Sequence, residues 1–129
     1  GVLTGYLLDA YSARKLGLTT TGNAGGVHNL VVLGERLDYD ALLQRLGTGL
    51  LVTEMMGQGV NAVTGDYSRG ATGFWIENGV VDRPVHEITV AGNLRDMYKG
   101  IIALGDDVDR RGAIHCGSIL IEQMTIAGD

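Results

Sequence analysis

Two adjacent pairs in this sequence carry side chains that perform hydrolytic chemistry when their partners are in reach. His86-Glu87 begins like a zinc protease motif, where a second His one helical turn later joins the first on one ion and the Glu acts as base. The run here is HEITVAG, with Val90 and Ala91 where that second ligand would stand. Those residues favour strand, so His86 reads as an edge or surface histidine. His115-Cys116 sets a thiol beside a base. A thiolate nucleophile needs its base within hydrogen-bond reach, whereas neighbours on a strand point to opposite faces. Cys116 is open to three readings: a small buried thiol, a nucleophile, or one ligand of a metal site completed elsewhere.

The stretch TEMMGQGVNAVTGDYSRGATGFWIEN, Thr53 to Asn78, holds five glycines among strand formers, together with the sole Phe and the sole Trp. Gly57-Gln58-Gly59 and Thr64-Gly65-Asp66 suggest phosphate cradles. No GK[ST] follows and GQG leads into no helix, which argues against a nucleotide. Asp66, Tyr67, Ser68 and Arg69 form a polar cluster in which Arg69 would grip a carboxylate or pair locally with Asp66. Ser68 has no base. Glycine inside strand-like sequence marks a bulge or a close backbone approach. Gly57, Gln58, Gly59, Gly65, Asp66, Tyr67, Ser68 and Arg69 are therefore the candidate wall of a peptide groove. Asp106, Asp107 and Asp109 lack the central Gly and terminal Glu of a calcium loop and fit a solvated turn.

The elements that must position these residues follow from punctuation. Val2 to Leu8 reads as a strand, Ser12 to Leu16 as one helical turn capped by Ser12 and stopped by Gly17, and Thr19 to Gly26 as a loop. His28 to Leu33 is a short apolar strand. Asp38 to Gly47 is a helix with Asp38 or Asp40 as cap and Gly47 at its end. Leu50 to Glu54, Val60 to Val63 and Phe74 to Glu77 read as strands. Asn78-Gly79 between FWIE and VVDRPV predicts a type I′ hairpin. Asn93 caps a second helix, about 93–105, whose Leu94, Met97, Tyr98, Ile101 and Ile102 follow helical spacing. Ser118 to Ile121 and Met124 to Ile126 close the chain as strands. Hairpins dominate and there is no regular βαβ alternation. The expected class is α+β, a mostly antiparallel sheet or barrel-like domain with two helices.

Composition narrows the function. At 129 residues the chain fits a single domain, 1–129, with one core. A net charge of −5, with scattered basic residues, disfavours direct nucleic-acid binding. No apolar run reaches the ~18–20 residues that span a membrane. One Cys forms no internal disulfide, which points to a reducing cytoplasm. The opening GVLTGYLL has neither initiator Met nor leader and reads as part of a larger protein.

Five segments, GVLTGYLLDAYSARKLG, TGNAGG, Thr48 to Gly79, PVHEITVAGNL and CGSILIEQMTIAGD, together resemble the C-terminal domain of the TldD/PmbA family, more closely its PmbA (TldE) branch. That family is also described as a suspected modulator of DNA gyrase. The resemblance implies paired subunits of a cytoplasmic zinc peptidase complex that trims peptides and unfolded proteins. It places an HExxxH motif and the zinc in the TldD-like subunit, so no cofactor is expected in this domain. It implies a non-catalytic partner role for the PmbA branch, as a heterodimer with a TldD-like subunit or by self-association. Cys116 falls at or near the zinc Cys of the TldD branch, but GSILIEQ departs from the longer Gly-rich segment there, leaving Cys116 a weak metal candidate. The alternatives are a metal- or thiol-dependent hydrolase using Cys116, or a plain protein-interaction domain.

Overall fold

Asp9 starts the first helix by accepting the Ser12 amide on Oδ1 at 2.6 Å, so the cap is Asp9, and Ser12 supplies the capped N–H. Helix α1 (Ala10–Leu16) ends at Gly17, which has φ +65°. The computed structural model describes residues 2–128. Val2 to Leu8 forms no strand; Leu8 instead bonds through its amide to Thr21 Oγ1 at 2.7 Å. Strand β1 is only Leu30–Val31, within the longer segment expected from composition. Strand β2 (Arg36–Leu37) leads to α2 (Tyr39–Leu46), where Asp38 Oδ1 accepts the Ala41 amide at 2.8 Å and Gly47 closes the helix as expected. Then come β3 (Gly49–Met56), β4 (Asp66–Glu77) and β5 (Val80–Asn93). The turn between β4 and β5 has positive φ at both Asn78 and Gly79, +52° and +76°, the primed geometry that matches strand twist.

Helix α3 (Leu94–Lys99) is shorter than the helix expected over 93–105. It stops at Gly100, and Ile101–Gly105 becomes strand β6. The side chains at 101 and 102 continue the helical spacing, but both are β-branched, and β6 gains a partner strand that a helix would forfeit. The chain finishes with β7 (Ile114–His115), β8 (Ile119–Ile121) and β9 (Thr125–Ala127). With α1, the helices number three among the described residues.

The chain divides into two compact units, one comprising the chain up to Leu33 together with Val108–Cys116, the other Gly34–Asp107 with the chain from Gly117 onward. In the first, β1 runs parallel to β7, and Leu8 and Ala13 are buried. The second holds two open sheets: an antiparallel one in the order β3-β4-β5-β9, and β2-β6-β8, in which β2 is parallel to β6. The fold is α+β and largely antiparallel, without barrel closure among the described residues. Its core lies on one face of the larger sheet, where Ala71, Ile88 and Val90 are buried against Leu50, Met55, Tyr67, Val85 and Met124. Pro84 is accommodated in β5 because β9 covers only Thr89 to Ala91, leaving the outer edge at Pro84 without a ladder to break.

Candidate functional site

The Gly-rich stretch is organised by β4. Between β3 and β4, Val60 to Val63 is a loop, not a strand, and Val60 makes a single bridge to Tyr67. Asn61 Oδ1 accepts the amides of Val63 and Thr64 at 3.0 and 3.2 Å, an Asx-type turn that competes with extended pairing. The loop folds back so that Gly59 accepts the Ser68 amide at 2.7 Å and Asp66 accepts the Asn61 amide at 2.8 Å. A Cβ at Gly59 would strike the Ser68 carbonyl, and one at Gly73 would strike that of Leu51. These two glycines are the close backbone approaches that the sequence suggested.

Of the expected groove residues, Asp66 to Ser68 lie between two neighbours, since β5 pairs with them from the other side at Asn93, Gly92 and Ala91. They offer a ligand exposed side chains at Asp66 and Ser68, not unpaired main chain. Tyr67 packs on the core. Arg69 donates from Nε to the Met56 carbonyl and from a terminal nitrogen to the Met55 carbonyl, both at 3.4 Å. Asp66 accepts the Thr64 hydroxyl at 2.7 Å. The local Asp66–Arg69 ion pair is therefore not made; the two ion pairs among the described residues are Asp82–Arg83 and Asp109–Arg111. Gly57, Gln58 and Gly59 are exposed at the end of β3, and Gly65 is half-buried against Asn93. Phe74 and Trp75 alternate across β4. Trp75 donates to Glu77 at 3.2 Å and carries the Arg83 guanidinium 5.8 Å from its ring centre.

Sequence reasoning missed the edge itself. Strand β3 has β4 on one side and no strand on the other among the described residues. Eight residues of extended backbone run along it into the exposed Gly57 turn. Beside it opens a largely apolar cleft of about 660 Å³, lined among others by Leu42, Leu46, Leu50, Met55, Tyr67 and Ile121. Apolar Leu50 and Leu51 announced a strand, but no local signal tells a central strand from an edge one.

The hydrolytic pairs are placed apart from chemistry. His86 and Glu87 sit exposed on β5, where Glu87 has φ +56° at an irregularity between Ala71 and Gly73 of the partner strand. His115 lies on β7 and Cys116 follows it, both half-buried. Among the described residues no three His, Cys, Asp or Glu side chains converge on a point. Asp109 is held below the usual carboxylate range chiefly by its hydrogen bonds from Arg111, with His115 adding a smaller pull. Asp107 is also held low, first by the Ser118 hydroxyl at 2.6 Å, then by the Ser118 amide, with Arg36 contributing charge.

Residues 1–128 match the family model described as the PmbA/TldA metallopeptidase C-terminal domain. The chain belongs to the PmbA/TldD family. It is 58% identical over 128 residues to the metalloprotease PmbA of Escherichia coli O157:H7, covering 99% of this chain and 28% of that protein. Two solved structures share this chain's fold, each described as a suspected modulator of DNA gyrase. The one from Bacteroides thetaiotaomicron is 35% identical with a TM-score of 0.90, over 99% of this chain and 29% of that one. The one from Thermotoga maritima is 34% identical with a TM-score of 0.88, over 98% and 31%. This PmbA-family domain thus spans under a third of the length of these relatives. Among the described residues, no helix is long and apolar enough to cross a membrane.

Proposed function

We propose that this chain is the C-terminal domain of a PmbA-type, non-catalytic subunit, and that it walls the peptide-accepting cavity of a cytoplasmic TldD–PmbA-type zinc peptidase complex. The open edge of β3 carries the reading. Its unpaired main chain can receive an extended peptide as an added strand, and the neighbouring cleft can take apolar side chains from it. Exposed Gly57, Gln58, Asp66 and Ser68 border the path at the far end of the strand.

The identity to a protein named metalloprotease PmbA along the whole chain supports the proteolytic setting. In this reading the zinc and its HExxxH belong to a TldD-like partner, and the substrate is a peptide or unfolded protein, with no direct contact to nucleic acid. The test is reconstitution. The full-length protein mixed with its TldD-like partner should cleave an unfolded polypeptide faster than either alone, and a chelator should abolish the gain. Unchanged activity on mixing would sink the subunit role. Zinc bound by the full-length chain alone and lost in Cys116→Ser would favour a metal-dependent hydrolase acting through Cys116.

A further inference from the structure

The open edge of β3 differs from the other bare flank of its sheet. Strand β9 covers β5 only at Thr89 to Ala91. The part of β5 before it holds Pro84, the Asp82–Arg83 ion pair and Glu87 at φ +56°. A missing donor, fixed charges and a kink are the devices that keep a further strand from pairing. Strand β3 has no Pro, no residue of positive φ and one charged side chain, Glu54. A bulge sorts its side chains. Pairing with β4 shifts between Val52 and Glu54, so Thr53 is the extra residue. Leu50, Val52 and Met55 thereby share the face that lines the apolar cleft. Glu54, opposite Thr72, falls on the reverse face and is exposed. The edge and the cleft both belong to the second unit.

A strand added to β3 alternates its side chains in the same way. Those at every second position enter the cleft, where Glu122 is the one charged lining residue. Those between them meet the face of Glu54. The Glu54 carboxylate makes no ion pair among the described residues, the two formed being Asp82–Arg83 and Asp109–Arg111. The nearby Arg69 guanidinium is engaged by the carbonyls of Met55 and Met56. We propose, resting on the strand-addition reading above, that the β3 edge selects an extended peptide with apolar residues at alternate positions and a Lys or Arg between them, opposite Glu54. Opposite charges facing each other across two strands attract, and like charges repel. An acidic peptide would meet Glu54 on one face and Glu122 at the cleft, on a chain of net charge −5.

The experiment measures binding of fluorescent peptides to the full-length protein by anisotropy. The peptides match the 8 residues of β3 in length and alternate Leu with Lys, with Thr or with Glu. At low salt the Leu–Lys peptide should bind about three- to tenfold more tightly than the Leu–Glu one, and the gap should narrow at about 0.5 M salt. Glu54→Lys should invert the preference. Glu35→Lys, the same charge change at an exposed residue ahead of β2, should preserve it. N-methylation at alternate residues removes the donors along one edge of the peptide, and one of the two such sets should weaken binding. Equal affinity for the Lys and Glu peptides, or a preference that Glu35→Lys inverts as well as Glu54→Lys, would overturn the charge selection; if N-methylation still weakened binding, strand addition would survive. Binding indifferent to both N-methyl sets, or no saturable binding, would remove strand addition and this proposal together. Self-association of the protein that Glu54→Lys abolishes and the peptides do not displace would give the edge to a second copy and overturn the proposal.

Discussion

At Gly59 the loop backbone lies directly on the Ser68 carbonyl while accepting the Ser68 amide at 2.7 Å. A methyl group there has nowhere to go, because the obstacle is main chain and not a flexible side chain. Gly59→Ala should therefore destabilise by about 1–3 kcal/mol in urea unfolding. Gly112→Ala, where a Cβ meets nothing within 4 Å, should stay within about 0.5 kcal/mol. Equal losses at the two positions would refute the packing account. Asp107 makes a second prediction. Its carboxyl is depressed below 3.8, first by the Ser118 hydroxyl and amide and then by Arg36. A depressed carboxylate contributes stability that is present above its unfolded pKa and is lost as pH falls through its folded one. The gap in urea midpoint between the parent and Asp107→Asn should be constant from neutral pH into the range just above 3.8, then close as pH drops further. A gap that widens on acidification would contradict it. The glycine pattern was legible in the sequence, since close approach is what glycine within a strand signals. The Asp107–Ser118 bond was not, because nothing in GDDVDRRG says which aspartate will meet a serine beyond the loop.

Asn93 sits where three elements join. Its Oδ1 accepts the Arg95 amide at 3.1 Å as the cap of α3, and its Nδ2 donates to the Thr64 carbonyl at 3.1 Å, tying the end of β5 to the Gly-rich loop. Asn93→Ala loses both and should cost about 1–2 kcal/mol in thermal or urea unfolding. Asn93→Asp keeps the cap and loses the donor, and should recover roughly half of that loss. An Asp variant no better than Ala would show that the loop tie, not the cap, is what matters. The cap was readable from the sequence; the tie to Thr64 was not. The same division explains the overlong helix. Leu94, Met97, Tyr98, Ile101 and Ile102 share a helical stripe, but Gly100 at φ −82°, ψ +4° stops it, with its amide donating to the Asp96 carbonyl at 2.8 Å. Ile101, Ala103 and Leu104 then pair with Ile121, Leu120 and Ile119. Periodicity is a local signal, and a strand partner 20 residues away in sequence overrides it.

For the molecule as a whole, the sequence by itself determined what a few neighbouring residues can enforce. The Asn78-Gly79 hairpin, the Asp38 and Asn93 caps, the Gly47 helix end and the α+β class belong here, because turns and caps are closed within about four residues of chain. Family membership was legible for a different reason, since the Thr48–Gly79 block and the segments flanking it carry a long specific pattern and not a short motif. Tertiary structure decided how polar groups and edges are spent. Arg69 is used on the carbonyls of Met55 and Met56, and Asp66 on Thr64, so neither serves the other. The backbone of Asp66 to Ser68 is paired from both sides, while β3 keeps one side open. Which strand becomes an edge, and which carboxylate closes a loop, depends on partners far away in sequence, and no local preference of a residue encodes them.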